Sequence, residues 1–285
     1  MVHCQPTTFS VGIVTHRSAL SLLEKTLVSL AFAIMELRQD GFRKNIAVYI
    51  LDNSEDDGYR TQLKELVASI DAQSELDVNL QFTENRGFGA AHNQIARSIN
   101  SELHLVLNPD VTFSKGALVN AIKAFEIHHP DILLPKILNI ENKELPLHIR
   151  AVGPQYVFLR ALAPLWIRKI FSDYMEGVQQ IPKDRVLPRD SRWLFSGCCM
   201  FLNRKLLDEI GGFDEKYFLY FEDYDLSLRI LSRGTALVSS DFSITHYGGG
   251  ASRKNWWHRF LFLKSSVRFY RKNLIANSWF WKQHV

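Results

Sequence analysis

The chain has 285 residues, of which 46% are hydrophobic and 22% are charged, and this composition argues for a folded globular protein and against a disordered one. Its formal net charge of +4 at pH 7 is modest, so we expect no nucleic-acid partner. The three cysteines, Cys4, Cys198 and Cys199, are odd in number and lack a C-x-x-C spacing, which argues against a disulfide framework and favours a reducing compartment.

The patterns near the N-terminus favour a cytoplasmic protein. No basic segment followed by an apolar run and a small-residue cleavage site is present there, so we expect no export signal. The longest apolar stretch, residues 27–35, is flanked by charged side chains. It has about half of the roughly 20 residues that a membrane-spanning helix needs, and we therefore predict a buried helix.

The first half of the chain alternates short apolar runs with segments of helical period. The predicted buried strands are residues 9–15, 46–52, 78–83 and 103–110. The predicted helices are residues 18–38, 58–73, 88–99 and 114–128. This alternation predicts an α/β fold with a Rossmann-like, mainly parallel central sheet covered by helices. Ligands of such sheets bind beyond the carboxyl ends of the strands, which makes Thr15, Asp52 and Asp110 the first candidates.

The alternation breaks after residue 138, where Pro, Gly, basic and aromatic residues are scattered without a period. It resumes near residue 191 with a strand, a short helix and a Gly-Gly break. We predict a catalytic domain over residues 1–252, followed by a basic, aromatic helical tail over residues 253–285. The predicted parts of the domain are a first half to about residue 138, an irregular insertion at 139–190 and a second half at 191–252.

Two strand ends in the first half are candidate donor contacts. Asp52 either contacts a ligand or closes a turn as an Asx cap. The stretch "ENRGFGAAHN" places Gly87 and Gly89 between a strand and a helix, but His92 occupies the third position of a dinucleotide fingerprint. A tight turn and a phosphate or nucleoside contact both remain open for this loop.

The stretch "LNPDV" sets Asp110 at the ligand edge of the sheet, because Pro109 fixes the backbone there. A divalent cation on a diphosphate takes oxygen ligands and needs only one or two protein carboxylates. Asp110 is therefore a candidate metal ligand, with a helix cap as the alternative. His246, before three glycines, is either structural or a further ligand of the same cation.

Three carboxylates, Glu222, Asp223 and Asp225, crowd into "YFLYFEDYDLSLRI" after a run of aromatic residues. Such acids repel one another unless a helix start, a cation or a reaction uses them. A helix that begins near Tyr224 would stabilise them with its amide groups. Asp225 and Arg229 are then four residues apart, which predicts an ion pair. The aromatic residues suit either a sugar acceptor or the core.

The tail has no acidic residue after Asp241 and combines cations with aromatic rings. Its basic residues are Arg253, Lys254, Arg259, Lys264, Arg268, Arg271, Lys272 and Lys282. Its aromatic residues are Trp256, Trp257, Phe260, Phe262, Phe269, Tyr270, Trp279, Phe280 and Trp281. This composition predicts peripheral attachment to the inner face of a bacterial cytoplasmic membrane. The alternative is packing on the catalytic domain or on a second subunit in a homodimer.

Taken together, "VGIVTHR", "LDNSEDDG", "ENRGFGAAHNQI", "LNPDV", "GGFDEKYFLYFEDYDLSLR" and "THYGGGAS" resemble family 2 glycosyltransferases, particularly their bacterial rhamnosyltransferase-like branch. The resemblance covers about residues 9–252. It implies a glycosyltransferase A-type fold, a nucleotide-diphosphate sugar donor, Mg²⁺ or Mn²⁺, and inversion at the anomeric carbon. dTDP-L-rhamnose is the implied donor, with UDP-galactofuranose or a UDP-N-acetylhexosamine as alternatives, and the acceptor is a glycan or lipid-linked saccharide of O-antigen-like polysaccharide.

The resemblance also assigns roles to particular residues. Asp223 falls on the general base, with Glu222 as the second choice, and Asp110 and His246 fall on the metal. The donor contacts that it implies are Thr15, Arg17, Asp52, Asn85, Arg86, Gly87 and Asn108. We place Trp193, Gly197, Phe213, Asp214 and Tyr220 on the acceptor side.

One position departs from the family pattern, because Asn108 stands where the first acid of the metal-binding D-x-D is expected. The site then brings one carboxylate fewer to the cation, although the Asn108 carbonyl is still a possible ligand. Two other function classes stay open. A nucleotidyltransferase would want a glycine-rich loop after the first strand, which "VTHRSAL" lacks, and a non-catalytic carbohydrate-binding protein would not need Asp110, Asp223 and His246 together.

Overall fold

The computed structural model describes residues 8–74, 76–151, 153–161, 163–248 and 256–276. The strands in these residues are β1 (Phe9–Thr15), β2 (Ile46–Asp52), β3 (Val78–Phe82), β4 (Leu103–Leu107), β5 (Val111–Phe113), β6 (Ile132–Leu138), β7 (Ile149–Arg150), β8 (Val186–Leu187), β9 (Trp193–Leu194), β10 (Cys199–Asn203) and β11 (Ala236–His246). The helices are α1 (Leu20–Gln39), α2 (Asp57–Gln73), α3 (Phe88–Ser98), α4 (Ala117–His128), α5 (Pro154–Ala161), α6 (Leu165–Ile170), α7 (Ser172–Val178), α8 (Arg204–Glu209), α9 (Glu222–Leu231) and α10 (Trp256–Ala276).

The central sheet has nine strands in the order β3-β2-β1-β4-β10-β6-β11-β5, with β8 paired to β11. The pairs β3-β2, β2-β1 and β1-β4 are parallel, as the alternation of strands and helices predicts. Strand β10 runs antiparallel between β4 and β6. The mainly parallel, helix-covered sheet is therefore confirmed, and β10 reverses direction where the two halves of the sheet meet.

The sheet is covered on two faces by separate apolar clusters, as a layered α/β domain requires. One cluster joins the β1 side chains Phe9, Val11 and Ile13 to buried residues of α1, α2 and α4. The other joins alternate residues of β4, β6 and β10 to α8 and α9. Because strand side chains alternate between faces, β10 fills both layers at once: Cys199 and Phe201 belong to the first cluster, and Met200 and Leu202 belong to the second.

Helix α1 buries one face and exposes another. Leu23, Leu27 and Leu30 are fully buried against the sheet, whereas Val28 and Phe32 are each more than half exposed. The sequence predicted a buried helix here. The structure differs from this prediction because the outer face of the helix is apolar and exposed. No helix in the described part of the chain is long and apolar enough to cross a membrane.

The predicted insertion contains the short helices α5, α6 and α7, and it packs together with α9 and α10. Tyr156 of α5, Val178 of α7 and Phe269 of α10 share one apolar cluster with Phe221. The tail helix is therefore seated on the part of the molecule that carries the acidic stretch. Of the predicted tail, Arg253, Lys254, Trp279, Phe280, Trp281 and Lys282 lie outside the described residues, as does Cys4.

Candidate active site

The ends of β1 and β2 bring Thr15 and Asp52 side by side, since the two residues are register partners. Asp52 is fully buried. Its carboxylate accepts hydrogen bonds from the Thr15 hydroxyl at 2.9 Å and from the Ser54 hydroxyl at 2.7 Å, and it lies 3.5 Å from Arg60 Nε. Asp52 thus stabilises this turn through protein contacts, and it lies at the sheet edge where a ligand is expected.

Asn85, Arg86 and Gly87 form the loop between β3 and α3. Asn85 Oδ1 accepts hydrogen bonds at 3.2 Å from the Asn53 amide and from the Gly87 backbone N–H. Gly87 has φ of +100°, and a Cβ there would overlap the carbonyl of Phe218, which accepts a bond from the Phe88 N–H. Glycine is therefore needed both for the backbone and for the close approach of the segment that leads to α9.

The predicted basic donor contacts point outward. The Arg17 side chain is 60% exposed and lies 3.7 Å from Asp56, while Arg86 pairs with Glu84 at 3.1 Å and is also largely exposed. Such exposed pairs contribute little to folding stability, which leaves both guanidinium groups available for an anionic ligand.

Asp110 and His246 are brought together by the antiparallel pairing of β5 with β11, in which His246 is the partner of Val111. His246 Nε2 lies 3.3 Å from Asp110 Oδ1. Asp110 Oδ1 is buried without a hydrogen-bond partner, which fits a carboxylate that binds a cation. His246 Nδ1, the ring nitrogen that does not face Asp110, is also buried without a partner. A Cβ at Gly248 would overlap Asp110 Oδ2, so glycine keeps this space open.

This pair fits a divalent cation in its donor chemistry. Bonds of about 2.1 Å at right angles put two ligands of one ion about 3 Å apart, close to the observed separation. The described residues contain no group of three or more His, Cys, Asp or Glu that would hold a metal by themselves. The remaining ligands would have to come from a diphosphate and water, as is usual for Mg²⁺. Asn108 donates its backbone N–H to the Cys198 carbonyl at 2.9 Å.

The start of α9 presents two neighbouring carboxylates in different environments. Tyr220 and Phe221 both have φ near +70°, and this turn leads directly into Glu222 and Asp223. Asp223 accepts hydrogen bonds at 2.9 Å from the backbone N–H groups of Gly197 and Tyr224, which stabilise its negative charge. It is partly exposed.

Glu222 is almost fully buried, and its Oε2 has no hydrogen-bond partner. Burial, together with the negative charge of Asp223, raises the pKa of Glu222 well above its usual value. The neutral form of Glu222 is therefore favoured, and Asp223, which accepts two backbone hydrogen bonds, stays the first choice for the base.

The two candidate ends of the site meet at residues 197–198. Gly197 contacts Asp223, and the carbonyl of Cys198 contacts Asn108, two residues before Asp110. The pKa of the Cys198 thiol is raised to about 12, mainly by burial and further by the negative charges of Asp110 and Asp223. Both carboxylates therefore lie in the neighbourhood of Cys198. Neither Cys198 nor Cys199 forms a disulfide within the described residues.

The predicted ion pair between Asp225 and Arg229 is present at 2.7 Å. A second partner could not be predicted from local patterns: Lys272 of α10 lies 2.6 Å from Asp225 and 3.0 Å from Asp214. Although burial alone would raise it, the pKa of Asp214 is lowered by the hydrogen bond from Lys272 and by the nearby Arg268. Asp214 is thus held by the tail helix.

The other residues that we placed on the acceptor side differ in their access. Gly197 lies directly beside the candidate base, because a Cβ at this position would lie 3.1 Å from Asp223 Cβ. Tyr220 is partly exposed and shares a 2.9 Å hydrogen bond with His258 of α10. Trp193 and Phe213 are buried. Their role in acceptor binding stays a prediction, and it would be exerted through neighbouring residues rather than by direct contact.

Sequence reasoning missed Asn93 and His148, which hold the segments around the base. Asn93 accepts a hydrogen bond from the Phe213 N–H at 2.8 Å and donates one to the Phe213 carbonyl at 2.9 Å. The ring of His148 contacts the Pro135 carbonyl at 3.1 Å and the Ser196 N–H at 3.3 Å, so both nitrogens of the neutral ring have partners. Both contacts join residues far apart in sequence, which no local pattern reveals.

Three buried histidines should make the fold sensitive to acid. Burial lowers the pKa of His104 to about 3 and that of His148 to about 4, and it lowers the pKa of His92 well below its usual value. Below pH 6.5 the unfolded chain takes up protons that the folded chain refuses, so the free energy of unfolding decreases as pH falls. Each such group contributes up to about 1.4 kcal/mol per pH unit in that range.

We expect urea unfolding midpoints to decrease between pH 6.5 and pH 5, above the range in which most carboxylates titrate. His148→Gln should reduce the number of protons that the chain takes up on unfolding by about one, because Gln does not titrate. The slope of the unfolding free energy against pH should decrease accordingly. The exposed His128→Gln serves as the matched control and should leave the slope unchanged. An unchanged slope in both variants would mean that His148 is protonated in the folded state.

Comparisons with known proteins agree with this geometry. Residues 10–211 match the family model described as Glycosyl transferase family 2. The chain is 27% identical over 233 residues to the N-acetylglucosaminyl-diphospho-decaprenol L-rhamnosyltransferase of Mycobacterium tuberculosis, covering 74% of this chain and 67% of that protein. It is 26% identical over 190 residues to the rhamnosyltransferase WbbL of Escherichia coli, covering 64% of this chain and 66% of that protein.

Two solved structures share the fold at low sequence identity. The mannosyltransferase PcManGT from Pyrobaculum calidifontis, in complex with GDP-Man and Mn²⁺, has a TM-score of 0.58 and 17% identity. The match covers 95% of this chain and 65% of that chain. GalNAc-T7 with UDP, GalNAc and Mn²⁺ has a TM-score of 0.60 and 13% identity, over 94% of this chain and 48% of that one.

The similarity to bacterial rhamnosyltransferases that the motifs indicated is confirmed, as is the A-type glycosyltransferase fold with a C-terminal helix. The family model covers well over half of the chain, and the parallel half of the sheet, the Asp110 position and the start of α9 all lie in the order that the motifs predict. The chain therefore belongs to glycosyl transferase family 2.

Proposed function

We propose that the protein is a metal-dependent, inverting glycosyltransferase of bacterial cell-surface polysaccharide synthesis, with dTDP-L-rhamnose as donor. The observation that carries this proposal is the placement of Asp110 with His246, and of Asp223, around residues 197–198. An inverting transfer needs two separate groups. One neutralises charge on the leaving diphosphate, and the other is a base on the opposite face of the sugar.

In this mechanism the acceptor hydroxyl attacks the anomeric carbon while the bond from that carbon to the diphosphate oxygen breaks. Asp223 accepts the hydroxyl proton as the new bond forms. The N–H groups of Gly197 and Tyr224 hold its carboxylate in place. Because they also stabilise its charge, Asp223 is a weak base that acts late, when the attacking hydroxyl has become acidic.

Asp110 and His246 are the residues that would hold the cation, Mg²⁺ or Mn²⁺. When bound, the cation supplies positive charge to the diphosphate as it leaves. The unpartnered Asp110 Oδ1 and the space beside Gly248 support this assignment. Two structures that share the fold contain Mn²⁺ together with a nucleotide or nucleotide sugar.

The donor nucleotide is assigned to the edge formed by Thr15, Asp52 and the loop at residues 85–87, with Arg17 near the phosphates. The rhamnosyltransferase relatives support rhamnose as the sugar. A UDP-galactofuranose or UDP-N-acetylhexosamine donor is the alternative in the same fold. A thermal-shift screen of these nucleotide sugars with Mg²⁺ or Mn²⁺ distinguishes the donors, because the true donor stabilises the folded state by mass action.

Asp52→Asn tests the nucleoside assignment. If Asp52 accepts a hydrogen bond from the base or ribose, the substitution should weaken dTDP binding by about 1 to 3 kcal/mol, or roughly 5-fold to 150-fold, measured by calorimetry. Asn keeps an oxygen for the Thr15 hydroxyl, so we choose it in preference to Ala at this fully buried position.

Arg60→Met is the matched control, since it removes the cation that lies 3.5 Å from the same carboxylate, and Arg60 is not among the proposed donor contacts. It should lower the melting temperature without changing dTDP affinity. If Asp52 only closes a turn, Asp52→Asn should lower the melting temperature and leave dTDP affinity at the parent value.

Catalysis itself is tested by donor hydrolysis without acceptor. Release of nucleoside diphosphate from a nucleotide sugar supports a transferase, because water then replaces the acceptor. No release from any donor, together with binding of a saccharide, would favour the non-catalytic carbohydrate-binding alternative. Membership of this family supports a glycosyltransferase over a nucleotidyltransferase.

The same relatives support an acceptor class, and that acceptor class supports a location. One of them is named for a diphospho-decaprenol substrate, which supports a lipid-linked saccharide as acceptor here. We therefore place the protein in the cytoplasm, at the inner face of the bacterial membrane, as a monomer or homodimer. The parts of the proposed catalytic domain are those predicted from sequence, with the tail beginning at residue 253.

A further inference from the structure

Helix α10 has two apolar faces on opposite sides. Leu261 and Phe269 are buried against the rest of the molecule, while Trp256 is 74% exposed, Phe260 48% and Val267 57%. A helix on the surface of a globular protein ordinarily has one apolar face and one polar face. Within the residues that the structure describes, nothing covers the outer face of α10, and its composition needs a separate explanation.

The outer apolar residues form a continuous stripe, which we define as Trp256, Phe260, Leu263 and Val267. Their spacing of four, three and four residues keeps them on one side of an α-helix. All four are more than two-fifths exposed. At 100° per residue this stripe points away from the buried face, so it cannot be covered by the domain that α10 already contacts.

Cations border the stripe. Residues 256–276 contain Arg259, Lys264, Arg268, Arg271 and Lys272 and no acidic residue. Arg268 and Lys272 pair with acidic residues of the catalytic domain. No carboxylate in the described part of the chain forms an ion pair with the exposed Arg259, Lys264 or Arg271.

We propose that this stripe, with Arg259, Lys264 and Arg271, is a docking surface for an anionic lipid membrane, and that it holds the active site at the membrane surface to act on a lipid-linked saccharide. An amphipathic helix with apolar rings and flanking cations lies in the plane of the headgroups in this way. A second copy of the chain is less suitable, because antiparallel stripes would bring the cations of two helices together. The part of this inference that concerns the acceptor depends on the proposed function.

A smaller patch of the same chemistry lies on α6. Trp166 and Ile170 are each about two-thirds exposed, and Lys169 lies between them in the sequence. Helix α5 contacts both α6 and α10. The two patches therefore flank one helix of the predicted insertion, and we assign the α6 patch to the same docking surface.

The inner face of α10 connects this surface to the candidate base. Phe262 and Phe269 pack on Phe221 with ring centroids 5.2 and 5.4 Å apart, and Phe221 directly precedes Glu222. The Ser265 hydroxyl donates a hydrogen bond to the Leu219 carbonyl at 2.8 Å. Since α10 and the start of α9 are packed together, the orientation of the stripe on a membrane would also fix the orientation of Asp223.

Flotation of the full-length protein with vesicles tests the surface, using phosphatidylglycerol mixed with phosphatidylcholine and, separately, phosphatidylcholine alone. The parent should float with the anionic vesicles. The double variant Phe260→Glu/Val267→Glu should lose at least tenfold in vesicle partitioning, and Lys264→Glu/Arg271→Glu should lose binding that depends on the anionic lipid. Trp166→Ser/Ile170→Glu should reduce binding by a smaller factor.

Val28→Glu/Phe32→Glu on α1 is the matched control, because these side chains are apolar and similarly exposed but lie on another helix. It should float like the parent. Equal flotation of the α10 variant and the parent would overturn the proposal. Conversion of a dimer to a monomer by the α10 substitutions, with vesicle binding unchanged, would instead identify a subunit interface and also overturn it.

Donor hydrolysis in solution separates this proposal from the proposed function. The α10 variants should hydrolyse the donor as fast as the parent, since none of the substituted residues contacts the candidate site. Absence of hydrolysis in the parent itself, with vesicle binding intact, would contradict the transferase assignment and leave the docking surface standing.

Discussion

Asp223→Asn should lower turnover by about a hundredfold to ten-thousandfold, the range that general acid-base catalysis contributes. Asn keeps the size of the side chain and one acceptor oxygen, so it can accept only one of the hydrogen bonds from Gly197 and Tyr224, and it has no basic oxygen. Donor affinity should change little, because the proposed donor contacts lie on other elements. Transfer rate, donor affinity by calorimetry and melting temperature are to be measured on the same preparation.

The neighbouring Asp225→Asn is the structural control for that result. Asp225 is buried and pairs with Arg229 and Lys272, so its substitution leaves Arg229 without its carboxylate and Lys272 with Asp214 alone. We expect a lower melting temperature and near-parent turnover of the folded fraction, because breaking a buried pair destabilises the fold. If Asp223→Asn behaved in the same way as Asp225→Asn, Asp223 would be a structural acid at a helix start.

Glu222→Gln distinguishes the two candidate bases. The raised pKa of Glu222 favours its neutral form, and Gln is close in shape to a protonated Glu. Its substitution should therefore cost far less than that of Asp223, within about tenfold in turnover. A loss as large as that of Asp223→Asn would move the base to Glu222 or require both carboxyl groups in the reaction.

Local patterns account for much of what the sequence predicted. The boundaries of β1 and β2 agree with residues 9–15 and 46–52, because each strand is a continuous apolar run bounded by polar residues. The contact between Thr15 and Asp52 followed from the rule that parallel strands end at one edge of the sheet. The direction of β10 was not predicted, since the apolar pattern of a strand is the same in both directions.

Contacts between distant segments account for what the sequence missed. Lys272 pairs with Asp225 across 47 positions, and the tail was predicted from composition alone, which does not show which cations are already paired. The buried Phe213 and Trp193 illustrate a second limit, because an aromatic residue near acidic residues suits both a sugar site and the core. The position of Asp110 was predicted locally, whereas its contact with His246 depends on the pairing of β5 with β11.

Asn108 stands where the family pattern has an acid, so the metal assignment can be tested both by adding a carboxylate and by removing one. The side chains of Asp110 and His246 give the cation one carboxylate and one imidazole, so much of its affinity must come from the donor diphosphate. Asn108→Asp would restore a second acid two residues away. We expect it to lower the Mn²⁺ concentration that gives half-maximal activity, unless the cation is bound elsewhere.

Asp110→Asn should abolish metal-dependent donor binding as well as turnover, a pattern that Asp223→Asn does not share. The parent should bind its nucleotide sugar more tightly with Mn²⁺ than with a chelator, and the variant should bind with the weaker, metal-free affinity under both conditions, because the carboxylate charge that attracts the cation is gone. Turnover should fall at least about a hundredfold, since the leaving diphosphate loses a stabilising charge. His246→Gln is the matched comparison: it removes a neutral ligand and keeps the carboxylate, so its loss should be smaller and partly recovered at high Mn²⁺. Calorimetry with and without Mn²⁺, combined with transfer assays across a metal titration, measures all of these quantities. If Asp110→Asn retained the metal-dependent gain in donor affinity, the pair of Asp110 and His246 would be a structural contact beside the sheet, and the cation would have to be assigned to other residues.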